Sequence, residues 1–336
     1  MRDDENKKLG ETPDEEKENK DEKSSENNDE NKDNEPSQNG KGKKPFADLA
    51  QRLITAVFIA VLYVGFILLS FLVDKHFYDA FVVLLMVLAS FEFVRAISLR
   101  FPRPIEIFAY INIVVGYVAF KAIDTMRGSG GITSFFGVLA LTFIACIVFN
   151  MFSKKHTISN VISTLFVLIY PVAIMTYLLA LNYLGEHSHV AILFAFGVTT
   201  LVDSMAYFVG SIVRGPKLCP TVSPKKTISG AIGGLLGGLL GGYIISVFAQ
   251  FNFVGCVPIY ADPVANILNF LFLGLGTSVF CQIGDLISSY IKRACGIKDF
   301  GKILKGHGGF MDRIDGVIIA AVFIFIFFNV LRFVVL

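Results

Sequence analysis

Residues 132–152 read ITSFFGVLALTFIACIVFNMF, a stretch without one charged side chain. At 1.5 Å per residue a helix of that length reaches across about 30 Å, the hydrocarbon thickness of a bilayer. In water such a helix would expose apolar side chains on every face, so it belongs among lipid and other helices. Eight further apolar runs of similar length flank it, at 53–73, 77–97, 105–122, 162–183, 189–213, 229–249, 264–287 and 314–336. The run at 105–122 is the weakest, interrupted by Asn112, Gly116 and Lys121. The pattern predicts an all-α, polytopic transmembrane helix bundle of about nine spans.

Composition agrees. Of 336 residues, 54% are apolar and 17% charged, with 33 Phe and no Trp, which is too apolar for a soluble domain of this size. The first 44 residues are a different polymer of Asp, Glu, Lys, Asn, Ser, Gly and Pro. They bury too little surface to offset chain entropy and are expected to form a disordered charged tail. The tail holds 15 acidic and 10 basic residues of the chain's 28 and 30, leaving 13 acidic against 20 basic in the body. The expected organisation is a tail over 1–44, amino-terminal transmembrane helices over 45–188 and a carboxyl-terminal catalytic transmembrane region over 189–336.

Lys and Arg collect on one side of the membrane when the amino terminus is placed in the cytoplasm, which is the side such loops favour. The two largest basic connections, 214–227 and 288–313, then share the cytoplasmic face. Cys146, Cys219, Cys256, Cys281 and Cys295 match neither a disulfide framework nor a zinc motif and read as packing residues. The run at 229–249 carries Gly230, Gly233, Gly234, Gly237, Gly238, Gly241 and Gly242, a spacing that lets helix backbones approach closely.

Charged residues inside spans are costly and point to function. Glu92 and Arg95, three apart near the cytoplasmic end of their helix, read as a structural ion pair or as snorkelling side chains. Asp203 lies deeper in its span, and Asp285 stands near the cytoplasmic end of another. The segment Ser223-Pro224-Lys225-Lys226-Thr227, placed just before a helix amino terminus, suits anion binding or an anchor to anionic lipid headgroups. The last basic connection adds acids, a His and glycines to its cations: Ser289, Lys292, Arg293, Lys298, Asp299, His307, Gly308, Gly309, Asp312, Arg313 and Asp315. Asp312 and Asp315 are three apart at a helix start and point the same way. With Asp285 they form a hard-oxygen set that suits Mg²⁺, which binds one or two carboxylates plus substrate phosphates. Lys and Arg then hold phosphate oxygens. This gathering implies metal-assisted phosphoryl or nucleotidyl transfer, without choosing nucleotide or acceptor.

From Ser289 to Asp315 these residues resemble the signature of the phosphatidate cytidylyltransferase family: Ser289, Lys292-Arg293, Lys298-Asp299, His307-Gly308-Gly309, Asp312-Arg313 and Asp315 at the family's spacing. The segments Asp203 to Gly210, Ser223 to Thr227 and Gly284-Asp285-Leu286 resemble it too, so the likeness covers roughly 190–320. Lys305, Ser229 and Ser288 depart from the family's usual residues. The resemblance implies transfer of CMP from CTP to phosphatidate, giving CDP-diacylglycerol and pyrophosphate. It implies a metal centre at Asp285, Asp312 and Asp315, with Mg²⁺ as cofactor and room for a second cation. Phosphate contacts would come from Lys225, Lys226, Lys292 and Arg293, with Asp203, Ser223, Thr227, Ser289, Lys298, Asp299 and Arg313 near the substrates. His307 is a candidate general base, with shaping of the Gly-Gly turn or contact with phosphate the preferred role, since an anionic phosphatidate oxygen needs little deprotonation. The implied partners are CTP, phosphatidate and membrane lipids, with no nucleic acid and with a homodimer left open. A CTP-using enzyme with another lipid acceptor, and a transporter, are the competing readings.

Overall fold

The structure is a computed structural model that describes residues 61, 63–301 and 308–335, with side chains up to residue 330. The charged tail, part of the first apolar run, Lys305 and His307 lie outside the described residues. Among those described, the helices are α1 (Tyr63–Leu72), α2 (His76–Ile97), α3 (Ile107–Arg127), α4 (Gly131–Phe152), α5 (Ile158–Tyr183), α6 (Gly185–Val213), α7 (Ile228–Gln250), α8 (Pro263–Ala294) and α9 (Met311–Val335). Eight of these, α2 to α9, are long and apolar enough to cross a membrane, and α1 belongs to the first run. The chain is an integral membrane protein of about nine spans. A short antiparallel hairpin, β1 (Lys217–Cys219) and β2 (Ser223–Thr227), joins α6 to α7.

One buried core is drawn from both halves of the chain, with Tyr78, Phe81 and Phe93 of α2, Phe194 of α6, Phe270 of α8 and Ile314 and Ile318 of α9 all in it. Apolar side chains also cover the outside. Leu141, Ile144 and Met151 of α4 are exposed, as they should be where the neighbour is hydrocarbon. Each interruption of the weakest span has a partner. Asn112 donates to Thr142 at 3.3 Å, a methyl group at Gly116 would strike the Phe135 ring, and Lys121 pairs with the fully buried Asp79 at 3.3 Å. Asp79 also accepts from Asn182 at 2.8 Å, which ties α2 and α3 to the end of α5. In α5, Pro171 offers no N–H to the helical ladder, and the helix widens into a π turn over Leu168–Ala173.

The glycines of α7 form two rows four residues apart. Gly230, Gly233, Gly237 and Gly241 lie against α6, where added methyl groups would meet the carbonyl oxygens of Ala206, Met205 and Leu201 and the Val198 side chain. Gly234, Gly238 and Gly242 lie against α8, with Gly238 and Gly274 in mutual backbone contact. No residue with a Cβ fits at that crossing, so the close-packing reading of this span holds. Four of the five cysteines are buried. Burial pushes the Cys256 thiol up to about 11, so it is a neutral packing group at physiological pH.

Gly238→Leu should lower the thermal stability of the detergent-purified chain by about 1–3 kcal/mol, the usual range for overpacking. Ile232→Leu on the exposed face of the same helix should leave it unchanged, and thermal unfolding of both variants checks this.

Candidate active site

The ends of α6, α7, α8 and α9 meet at one end of the bundle. Thr227 both closes β2 and caps α7, its hydroxyl accepting the Gly230 N–H at 3.1 Å. The hairpin register, Lys217 opposite Thr227 and Cys219 opposite Ser223, fixes where the two lysines project. Lys226 reaches Asp285 of α8 at 3.0 Å, and Lys225 lines the same cavity of about 410 Å³ beside Asp203, Tyr207, Gln282 and Asp285. Ser229 donates to the Arg214 carbonyl and locks the other side of the hairpin.

The basic segment after Asp285 differs from the sequence expectation. It is not loop: α8 runs on to Ala294. Asp285, Ser289 and Lys292 therefore follow one helical face at spacings of four and three. The cations at the end of α8 also sit where its dipole is favourable. Likewise Ser223–Thr227 is strand rather than irregular loop.

At Gly284 and Gly316, α8 and α9 cross so closely that a methyl group on Gly284 would meet the Asp315 carbonyl oxygen at 2.6 Å. The crossing sets Asp315 beside Asp285. A polar cavity of about 240 Å³ opens there, lined by Asp203, Asp285, Asp312 and Asp315 together with Lys226, Ser289 and Arg313. Asp203, fourth of the carboxylates and ten residues before the end of α6, is also approached by the Cys281 thiol at 3.9 Å. The deeper intramembrane acid thus shares the site.

Asp312 takes a separate part. One oxygen meets Lys292 at 2.8 Å, and the other accepts backbone N–H groups from Phe300 and Gly309, each at 2.9 Å. Lys292 also faces Asp315 at 3.6 Å. Among the described residues no three His, Cys, Asp or Glu side chains stand close enough to make a ready-formed ligand set, although Asp285, Asp312 and Asp315 line one cavity. The donor chemistry still fits a hard divalent cation, because Asp285 and Asp315 adjoin in a polar cavity where substrate phosphates would complete the shell.

Other expected residues stand apart. Arg293 is exposed and donates to the Ile297 carbonyl at 3.0 Å, Lys298 is exposed, and Asp299 lines a different cavity with Glu92 and Arg95. Ser223 is half-buried in the hairpin. Sequence reasoning missed Glu92. No ion pair joins it to Arg95 among the described residues. Arg95 lies over the Phe91 ring at 5.4 Å, whereas buried Glu92 accepts the Met311 N–H at 2.9 Å and so reaches the start of α9. Its signal was a carboxylate within an apolar run, masked by Arg95 three positions on.

The side chains of Lys292 and Asp312 are only 12% and 7% exposed. Removing one partner of so buried a pair typically costs about 3–5 kcal/mol. Lys292→Met should destabilise the chain by that order, and Lys292→Met with Asp312→Asn should recover part of the loss; a double-mutant cycle on thermal stability measures the coupling.

A cytidylyltransferase family model matches residues 50–331. Among similar proteins, a phosphatidate cytidylyltransferase of Brucella abortus biovar 1 (strain 9-941) is 41% identical over 136 residues, 40% of this chain and 46% of the relative. One from Staphylococcus haemolyticus is 38% identical over 124 residues, 37% of this chain and 43% of the relative. The matched stretches span less than half the length of these relatives.

Proposed function

Since the chain belongs to the cytidylyltransferase family, we propose that it transfers CMP from CTP to phosphatidate, releasing pyrophosphate and leaving CDP-diacylglycerol in the membrane. The observation that carries this reading is the gathering of four carboxylates with Lys226, Arg313 and, one turn away, Lys292 around one polar cavity inside an apolar bundle. The relatives named as phosphatidate cytidylyltransferases support the choice of acceptor.

A lipid acceptor suits the surroundings. Arg313 and Val317 line both the polar cavity and a larger apolar chamber of about 640 Å³ walled by Tyr63, Phe71, Leu193, Phe196 and Phe248. In this reading the acceptor's phosphate lies by Arg313 and its acyl chains lie in the chamber. The triphosphate of CTP lies between the hairpin lysines, Lys225 and Lys226, and Lys292. Asp285 and Asp315 would hold Mg²⁺ against the triphosphate, and the ion would supply neutralisation of charge on the phosphates. A phosphatidate oxygen is anionic at neutral pH, so attack on the α-phosphorus needs little help from a base. The oxygen forms the new P–O bond to the α-phosphorus as the bond to pyrophosphate breaks, and the one negative charge the attacking oxygen gives up leaves on pyrophosphate. The chain's own contribution is to align the two anions and offset their repulsion with fixed cations. Basic connections gather at this end of the bundle, and the preference of such loops for the cytoplasm supports a site on the face where CTP is found.

Purified chain given CTP, Mg²⁺ and phosphatidate micelles should form CDP-diacylglycerol and pyrophosphate, and EDTA should abolish both. Asp285→Asn should lower turnover by about 100-fold or more while leaving the protein folded. Wild-type turnover in both Asp285→Asn and Asp315→Asn would sink the assignment of the pair, and reaction only with another lipid phosphate would change the acceptor.

A further inference from the structure

Glu92 belongs to α2, more than 200 positions before the residues it touches. Its side chain is buried, 2% exposed, in a part of the bundle with no catalytic role in the account above. One oxygen accepts the Met311 N–H at 2.9 Å, at the free amino-terminal end of α9. The carboxylate also presses on two points of the connection between α8 and α9, because a methyl group at either Gly301 or Gly309 would collide with it. Next to it, Phe93 packs at a tilt against Phe300 with ring centroids 5.6 Å apart, and Lys292 lies over the Phe300 ring at 5.3 Å. Asp312 ties the same two parts of the connection together through the N–H groups of Phe300 and Gly309.

We propose that Glu92 is a positioning residue that clasps the middle of the α8–α9 connection, at Gly301, to its end, at Gly309, and thereby sets Asp312, Lys292 and Asp315. An anion at the start of α9 is favoured by the unpaired N–H groups and the helix dipole. Glycine at 301 and 309 is explained by the same contact, since the carboxylate occupies the space a side chain would need. The clasp does not touch the hairpin lysines, so it acts on the alignment of the reacting groups more than on capture of the nucleotide. This inference rests on the proposed function for its kinetic arm alone.

The test uses the full chain in detergent with Glu92→Ala, Glu92→Gln and Asp312→Asn, alone and combined, reading hydrogen exchange over 308–316 and steady-state turnover on monodisperse protein. Glu92→Ala should speed exchange at Met311 and its neighbours and lower kcat on the order of 10- to 100-fold, with KM for CTP moving less than about threefold. Glu92→Gln keeps an acceptor oxygen and should restore most of both. Adding Glu92→Ala to Asp312→Asn should lower turnover by clearly less than it does in the wild-type chain. Unchanged exchange over 308–316 in Glu92→Ala, full turnover by that variant, or losses that simply add would overturn the clasp. Should Glu92→Ala not give monodisperse protein, Gly309→Ala, whose methyl displaces the carboxylate, is read by the same criteria. If the wild-type chain shows no transfer at all, the functional reading has failed, and the exchange measurement still decides the clasp.

Discussion

The contact between backbones at glycine is what the rest of this structure depends on. Between helices in lipid there is little hydrophobic driving force, and association rests on close van der Waals packing. The two glycine rows of α7 let α6 and α8 press against it from either side, and Gly284 and Gly316 do the same for α8 and α9. Every carboxylate of the polar cavity rides on one of these tightly crossed helices. Asp203 is on α6, Asp285 on α8, and Asp312 and Asp315 on α9. With ordinary side chains at the crossings the helices would stand apart, and the acids would face lipid.

Gathering anions at one place inside an apolar bundle is unfavourable unless cations balance them. The structure supplies the balance from two directions: Lys226 from the hairpin meets Asp285, and Lys292 from the last turns of α8 meets Asp312 and Asp315. On the proposed function, a triphosphate and a divalent cation would compete for the same charges.

Much of this was legible in the sequence because lipid imposes strict rules. A run such as 132–152 has no alternative but to span, and the glycine spacing of 229–249 declared close packing before any contact was known. Asp285 stands out as a charge in an apolar run, and Lys226, Lys292, Asp312 and Asp315 as charges in or beside the two basic connections; they come together at the site. The division of labour among them was not legible. Asp312 and Asp315 stand three apart on one helix, yet one caps the preceding connection and the other adjoins Asp285, because their oxygens answer to groups on other elements. The helical course of Ser289–Arg293 was hidden by its charge, which read as loop. Glu92 was misassigned to Arg95 because spacing within a helix is visible in sequence, whereas a contact made across more than 200 positions is not.

The central claim is that the polar cavity performs nucleotidyl transfer onto a lipid phosphate, and the fate of the label in CTP tests it most directly. With CTP labelled at the α-phosphate, the account predicts label in the lipid extract; with CTP labelled at the γ-phosphate, it predicts label in aqueous pyrophosphate and none in lipid. Label from the γ-phosphate appearing in lipid would identify a kinase and contradict the account.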